Sequence, residues 1–197
     1  MSKADPEASK HQRNKNIRWV ITIFFVTIFI SGAISLLSDV LMENSSMAVA
    51  FLILFFIILV GIVFDVIGMA VASADEKPFH AMAARKVPGA KDAIRMLRNA
   101  ERVSSICNDV VGDICGVVSG SASATIAVQI LSKFEFSFPQ IVSLLMSALA
   151  AGLTVGGKAV GKGFAVNCST EIVHFVGKFL YTMGGIPDFI RNKKSKH

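Results

Sequence analysis

Residues 59–75 read LVGIVFDVIGMAVASAD. They close an apolar run that begins at Met47, and inside it they carry one carboxylate, Asp65, with hydrocarbon side chains on either side. The run of about 25 residues exceeds the ~20 that an α-helix needs to cross a bilayer. A carboxylate at that depth is costly unless it faces protein, water or an ion. Asp65 therefore poses two questions together: how the chain folds around the span, and what the charge inside it does.

Composition gives the class. Hydrophobic residues make up 53% of the 197 residues, and the mean hydropathy is +0.60. That is too apolar for a soluble domain and indicates a small multi-pass α-helical membrane protein. The net charge of +6 does not point to nucleic acid, because the lysines and arginines sit between apolar spans, where orientation signals lie. The three cysteines, Cys107, Cys115 and Cys168, are scattered and form no CxxC. They read as small buried hydrophobes rather than as a disulfide framework or zinc site. No nucleophile–base motif, metal-ligand His/Cys spacing or P-loop is present, so no enzyme activity is expected.

Outward from Asp65, the chain predicts an all-α membrane protein with four transmembrane helices. Residues 1–16 form a polar basic tail. The membrane domain spans 17–167, with helices at about 17–37, 47–71, 104–131 and 140–160. The first opens on Arg18-Trp19, a basic and aromatic interfacial anchor. Residues 72–103, punctuated by Pro78 and Val87-Pro88-Gly89, read as a cytoplasmic juxtamembrane hairpin of two short amphipathic helices. Residues 168–197 supply a C-terminal amphipathic helix and a basic tail. Every lysine and arginine except Lys133 falls on one side of these spans. The expected topology has both termini in the cytoplasm of a cell-membrane protein, with the lipid bilayer as its surroundings.

Three polar clusters fall in the cytoplasmic halves of three spans: Asp65; Asn108, Asp109 and Asp113; and Gly156-Gly157-Lys158 with Gly161-Lys162. Carboxylates, an amide and glycine-freed carbonyls are the ligands that a hard cation such as Mg²⁺ takes, and a broken helix lining a cavity would supply the carbonyls. The same residues allow a second reading. Asp109 and Asp113 are one turn apart, as are Lys158 and Lys162, so the charges can form an intramembrane ion-pair ladder. In that case the protein is a non-transporting structural or regulatory one. His80 and His174 lie outside the spans and read as surface residues rather than ligands.

In order and topology these features resemble the transmembrane domain of the CNNM/CorB/CorC magnesium transporters. Gly61-Ile62-Val63-Phe64-Asp65-Val66-Ile67-Gly68 stands where that family has S-A-F-F-S-G-S-E. Ala90, Ala93 and Leu97 follow its A-x-x-A-x-x-L hairpin pattern. Arg102 to Asp113 is similar to R-x-L-S-T-x-x-x-x-N-x-L-V-N, and Val155 to Asn167 to F-G-E-I-L-P-K-x-x-A-x-x-N. The resemblance covers about residues 59–167. It implies a homodimeric divalent-cation transporter module that works by alternating access, with Mg²⁺ as the bound and transported ion. Gly61 and Asp65 stand in the places of two serine ligands, Asn108 (or Asp109, one residue on) in that of an asparagine, and Gly156 near that of a backbone carbonyl. Asp113 adds a further carboxylate. The chain departs from the pattern at Gly157 for glutamate, at Gly161 for proline and at Lys158, an added cation. It also has an extra first span and lacks the family's cytoplasmic domains.

Overall fold

The computed structural model describes residues 6–43, 45–134 and 138–184; the side chains of 6–20 and 43 lie outside the described set. Among the described residues every regular element is a helix. Helix α1 is Pro6–Glu43, α2 Met47–Ser73, α3 Lys77–Ala84, α4 Ala90–Leu97 and α5 Ala100–Ser105. A π-helical segment, Ile106–Gly112, joins α5 to α6, Asp113–Lys133. Helix α7 is Pro139–Asn167 and α8 is Ser169–Thr182. Four stretches are long and apolar enough to cross a bilayer: Ile21–Met42, Met47–Ser73, Ala100–Lys133 and Pro139–Asn167. This is the architecture of a multi-pass membrane protein. Between the second and third lies the short-helix hairpin α3–α4, and after the fourth comes amphipathic α8.

Helix α2 is the central element. Its buried residues Ala50, Leu54, Ile58, Gly61, Asp65 and Gly68 recur every three or four positions and form one stripe. Asp65 thus faces protein because it shares the helical face of the residues that pack. Two apolar clusters lie along this stripe. One, toward the loop ends of α1 and α6, contains Met42, Leu54, Ile58, Ile126 and Met146. The other, toward the hairpin, contains Ala70, Val71, Phe79, Met96, Leu97, Ala165 and Val173. Asp65 lies between them, about 12 Å inside the hairpin end of its span at 1.5 Å per residue.

Three features differ from what the residues alone suggest. Helix α1 starts at Pro6, within the stretch read as a tail; proline suits the first helical position because the missing N–H has no partner there. Helix α7 runs without interruption to Asn167, so its glycine cluster does not break the helix. The departure from α geometry lies in the third span instead, at the π segment. The part of 168–197 beyond Gly184, with the basic tail, and the Arg18-Trp19 side chains lie outside the described residues.

The glycines of α7 serve packing. Ile62 fills the space that a Cβ on Gly157 would need, and Val66 does the same at Gly161. Helices α2 and α7 therefore run parallel, four residues for four. Helices α2 and α6 run antiparallel: a Cβ on Gly61 would lie 2.8 Å from Cβ of Cys115, and one on Gly68 would fall on the Asn108 side chain.

Helix α1 is peripheral, with almost all of its apolar stretch exposed at the surface of the bundle. It packs on α6 through a ladder of polar contacts in parallel register. Ser35 Oγ donates to Ser121 Oγ at 3.4 Å. Thr125 Oγ1 donates to Asp39 Oδ1 at 3.3 Å. Gln129 Nε2 donates to the Met42 carbonyl at 2.8 Å. Such interhelical polar contacts hold helices together where lipid supplies no hydrophobic drive between them.

Candidate functional site

The registers of α2, α6 and α7 determine what surrounds Asp65. On α7, Lys158 and Lys162 are one turn apart, and the level of Asp65 falls between them. Lys158 Nζ lies 3.6 Å from Asp65 Oδ1. Lys162 Nζ lies 3.8 Å from Oδ2. Each carboxylate oxygen thus faces its own ammonium. On the other side stands Gly112, whose missing Cβ leaves room for both charges: a methyl there would lie 3.2 Å from Lys158 Nζ and 3.4 Å from Asp65 Oδ1.

Lys158 is the hub. Its Nζ also donates to the Gly112 carbonyl at 3.2 Å and lies 3.9 Å from Asp113 Oδ1. Two carboxylate oxygens and one backbone carbonyl therefore converge on one ammonium. That carbonyl belongs to the last residue of the π segment, a winding that recurs at functional turns of helices. The partners differ in weight. The Lys158 side chain is 18% exposed and that of Asp65 5%, so this pair is desolvated, and removing one member leaves a costly buried charge. Asp113 is 73% exposed, so it forms the open edge of the centre, while Asp65 and Lys158 form its enclosed part.

The remaining sequence-predicted residues divide by helix face. Asp109 is exposed and accepts a hydrogen bond from Ser105 Oγ at 2.7 Å. Asn108 Nδ2 donates to Ser104 Oγ at 3.2 Å, while its Oδ1 is buried without a hydrogen-bond partner. Asp65 Oδ2 is likewise buried without one, its nearest cation being beyond hydrogen-bonding distance. Gly61 packs on Cys115, one turn from Asp65. Gly156 is exposed, with open space where a side chain would be. The structure thus gathers Asp65, Asp113, Lys158 and Lys162, keeps Asn108 beside Gly68, and turns Asp109 and Gly156 outward. Among the described residues, no three His, Cys, Asp or Glu side chains are grouped so as to hold a metal ion. The group that sequence reasoning passed over is Gly112. Its carbonyl takes the place at the centre that the glycine-rich end of α7 was expected to fill. The signal was present in the run Cys107-Asn108-Asp109-Val110-Val111-Gly112, where polar, β-branched and glycine residues crowd one apolar span.

Asp109 and Asp113 lie on one outward face of the third span, followed by Val117 and Gly120, also exposed. Gly116 and Gly120 have open space over them. No protein-family model, curated protein or solved structure matches the chain.

Proposed function

We propose that this protein is a multi-pass membrane component whose intramembrane charged centre is closed by its own lysines, and that it acts structurally or by regulating a partner. One observation carries this reading: Lys158 Nζ occupies the point on which Asp65, Asp113 and the Gly112 carbonyl converge. That is a hard-cation ligand set with a tethered ammonium in the cation's place. Asp65, Asp113, Lys158 and Lys162 sum to zero charge, so a divalent ion gains no net attraction until a lysine moves away. A positive-inside arrangement puts the hairpin and both termini in the cytoplasm of a cell-membrane protein.

A homodimer accompanies this reading. Asp113 is 73% exposed inside a span, where facing lipid is costly. It shares its face with Gly116 and Gly120, which leave room for a second helix to approach closely.

The second reading is divalent-cation transport, with Mg²⁺ as substrate and alternating access around Asp65, Asn108, Asp109 and Asp113. What favours it is the pair of buried, unpartnered acceptors, Asp65 Oδ2 and Asn108 Oδ1, with Asp109 and Asp113 exposed beside them. In this reading Lys158 gates the site.

Mg²⁺ flux into proteoliposomes separates the two. Under the first reading the wild-type chain gives the flux of empty vesicles, Lys158→Asp fails to assemble, and adding Asp65→Lys restores the folded protein. Wild-type flux that Asp65→Ala abolishes while the protein stays folded would establish transport instead.

A further inference from the structure

The hairpin and α8 enclose a cleft of about 910 Å³ whose walls include Lys86, Lys91, Asp92, Arg95, Tyr181 and Thr182. Two glycines bring its walls together. Gly89 has φ +84°, and a Cβ on it would collide with the backbone of Lys178; a Cβ on Gly177 would lie 2.7 Å from the Gly89 carbonyl. Backbone therefore meets backbone, and the loop bearing Lys86 and Lys91 is held against the end of α8.

The charges in the cleft are unevenly matched. Asp92, whose side chain is 6% exposed, receives Arg95 Nη1 at 3.1 Å. Lys86 and Lys91 make no ion pair among the described residues. Two ammonium groups and the rest of the Arg95 guanidinium thus face one open space with a surplus of positive charge. The start of α4 adds its dipole in the same sense. Lys86 holds φ +57°, a left-handed conformation that strains a side-chain-bearing residue and that glycine adopts freely.

Position narrows the ligand. The hairpin follows directly on the span ending at Ser73 and precedes the one beginning at Ala100. Helix α8 buries Val173 and Gly177 against the bundle and leaves Phe175 and Phe179, one turn apart, 73% and 57% exposed. An amphipathic helix with aromatic residues on its free face lies at the level of lipid headgroups.

We infer that this cleft binds a phosphate ester, held by Lys86, Lys91 and Arg95, and that the headgroup of an anionic phospholipid supplies it. The two lysines attract the anion as point charges, and the guanidinium offers fixed N–H donors to its oxygens. Tyr181 lines the cleft beside them. The Thr182 hydroxyl proton is engaged by the Lys178 carbonyl at 3.0 Å, so Thr182 presents an acceptor and contributes shape only.

The test is thermal unfolding of the full chain in neutral detergent, titrated at constant ionic strength with dihexanoyl phosphatidylglycerol, dihexanoyl phosphatidylcholine or sodium phosphate. Phosphatidylglycerol raises the melting temperature of wild type and phosphatidylcholine does not. Lys86→Gly with Lys91→Gln shifts the midpoint of that titration upward by about 25-fold, near fivefold for each lysine at a membrane surface. Lys86→Gly relieves the left-handed strain, so loss of binding is not loss of fold. Lys77→Gln, outside the cleft and 91% exposed, leaves the midpoint unchanged. Equal stabilisation by sodium phosphate, lost in the same double variant, keeps the phosphate site and assigns it to a free phosphate. The proposal is overturned if the double variant titrates like wild type, or if Lys77→Gln weakens binding as much.

Discussion

The molecule joins its helices through polar groups in two places, by different means. Between α1 and α6 a ladder of hydroxyl, amide and carbonyl contacts repeats about every turn: Ser35 with Ser121, Asp39 with Thr125, Gln129 with the Met42 carbonyl. Between α2, α7 and the π segment, ionised groups converge on Lys158. In the ladder only Asp39 is ionisable, and it lies three residues from the end of its span, where a charge is inexpensive. In the centre a desolvated carboxylate needs a counter-charge to exist at all. Losing one rung of the ladder leaves groups that can find other partners. Losing one member of the centre strands a charge. The two regions should therefore respond to mutation on different scales.

The largest effect belongs to Lys158. Lys158→Met should destabilise the protein by ~3–5 kcal/mol, the range for removing one partner of a buried pair, because Lys162 is half-exposed and 3.8 Å away and compensates poorly. Asp65→Asn in the same background should recover most of that loss, since the amide needs no counter-charge. Equilibrium unfolding in mixed micelles measures both. If Lys158→Met unfolds like wild type, the centre is not held by this pair and the contrast with the ladder fails.

Packing at the same crossing is the next test. Gly68→Ala places a methyl on Asn108, and the expected cost is ~1–3 kcal/mol, as for overpacking elsewhere. Gly120→Ala, with nothing within contact distance, should leave unfolding of the monomer unchanged and alter only the association of copies. Unfolding and size-exclusion chromatography with light scattering, run on both variants, read these effects apart. Equal destabilisation in both would mean that the antiparallel register of α2 on α6 is wrong.

What the sequence made legible follows from the same physics. Spans and hairpin could be read because hydropathy and lysine and arginine placement act along the chain. Asp65 could be singled out because a lone carboxylate among Val63, Phe64, Val66 and Ile67 has no apolar explanation. The partners of Asp65 depend on registers between helices, and those are set by small contacts distributed over the crossing, such as Ile62 over Gly157 and Val66 over Gly161. A glycine looks the same in sequence whether it frees a carbonyl or admits a neighbour. Gly112 does the first and Gly161 the second, and only the fold separates them. The α1–α6 ladder was hidden for a related reason: Ser35, Ser121 and Thr125 are uncharged and common in spans, so nothing marks them until the parallel register pairs them.

The ladder gives the smallest predicted effect and the most direct check of that register. Ser35 and Ser121 have their oxygens 3.4 Å apart, so Ser35→Cys with Ser121→Cys should cross-link on mild oxidation when Cys107, Cys115 and Cys168 are replaced by alanine. Gln129→Leu removes the donor to the Met42 carbonyl and should weaken α1 docking by ~0.6 kcal/mol, the mean for interhelical hydrogen bonds in membranes. That slows equilibrium cross-linking at most about threefold. No rung is expected to exceed this scale, because the one Thr125 hydroxyl proton is shared between Asp39 and the Ser121 carbonyl of its own helix, each at 3.3 Å. A tenfold loss from Gln129→Leu would make the ladder as cooperative as the charged centre and erase the distinction. Absence of any cross-link in the parent pair would place α1 in a different register on α6.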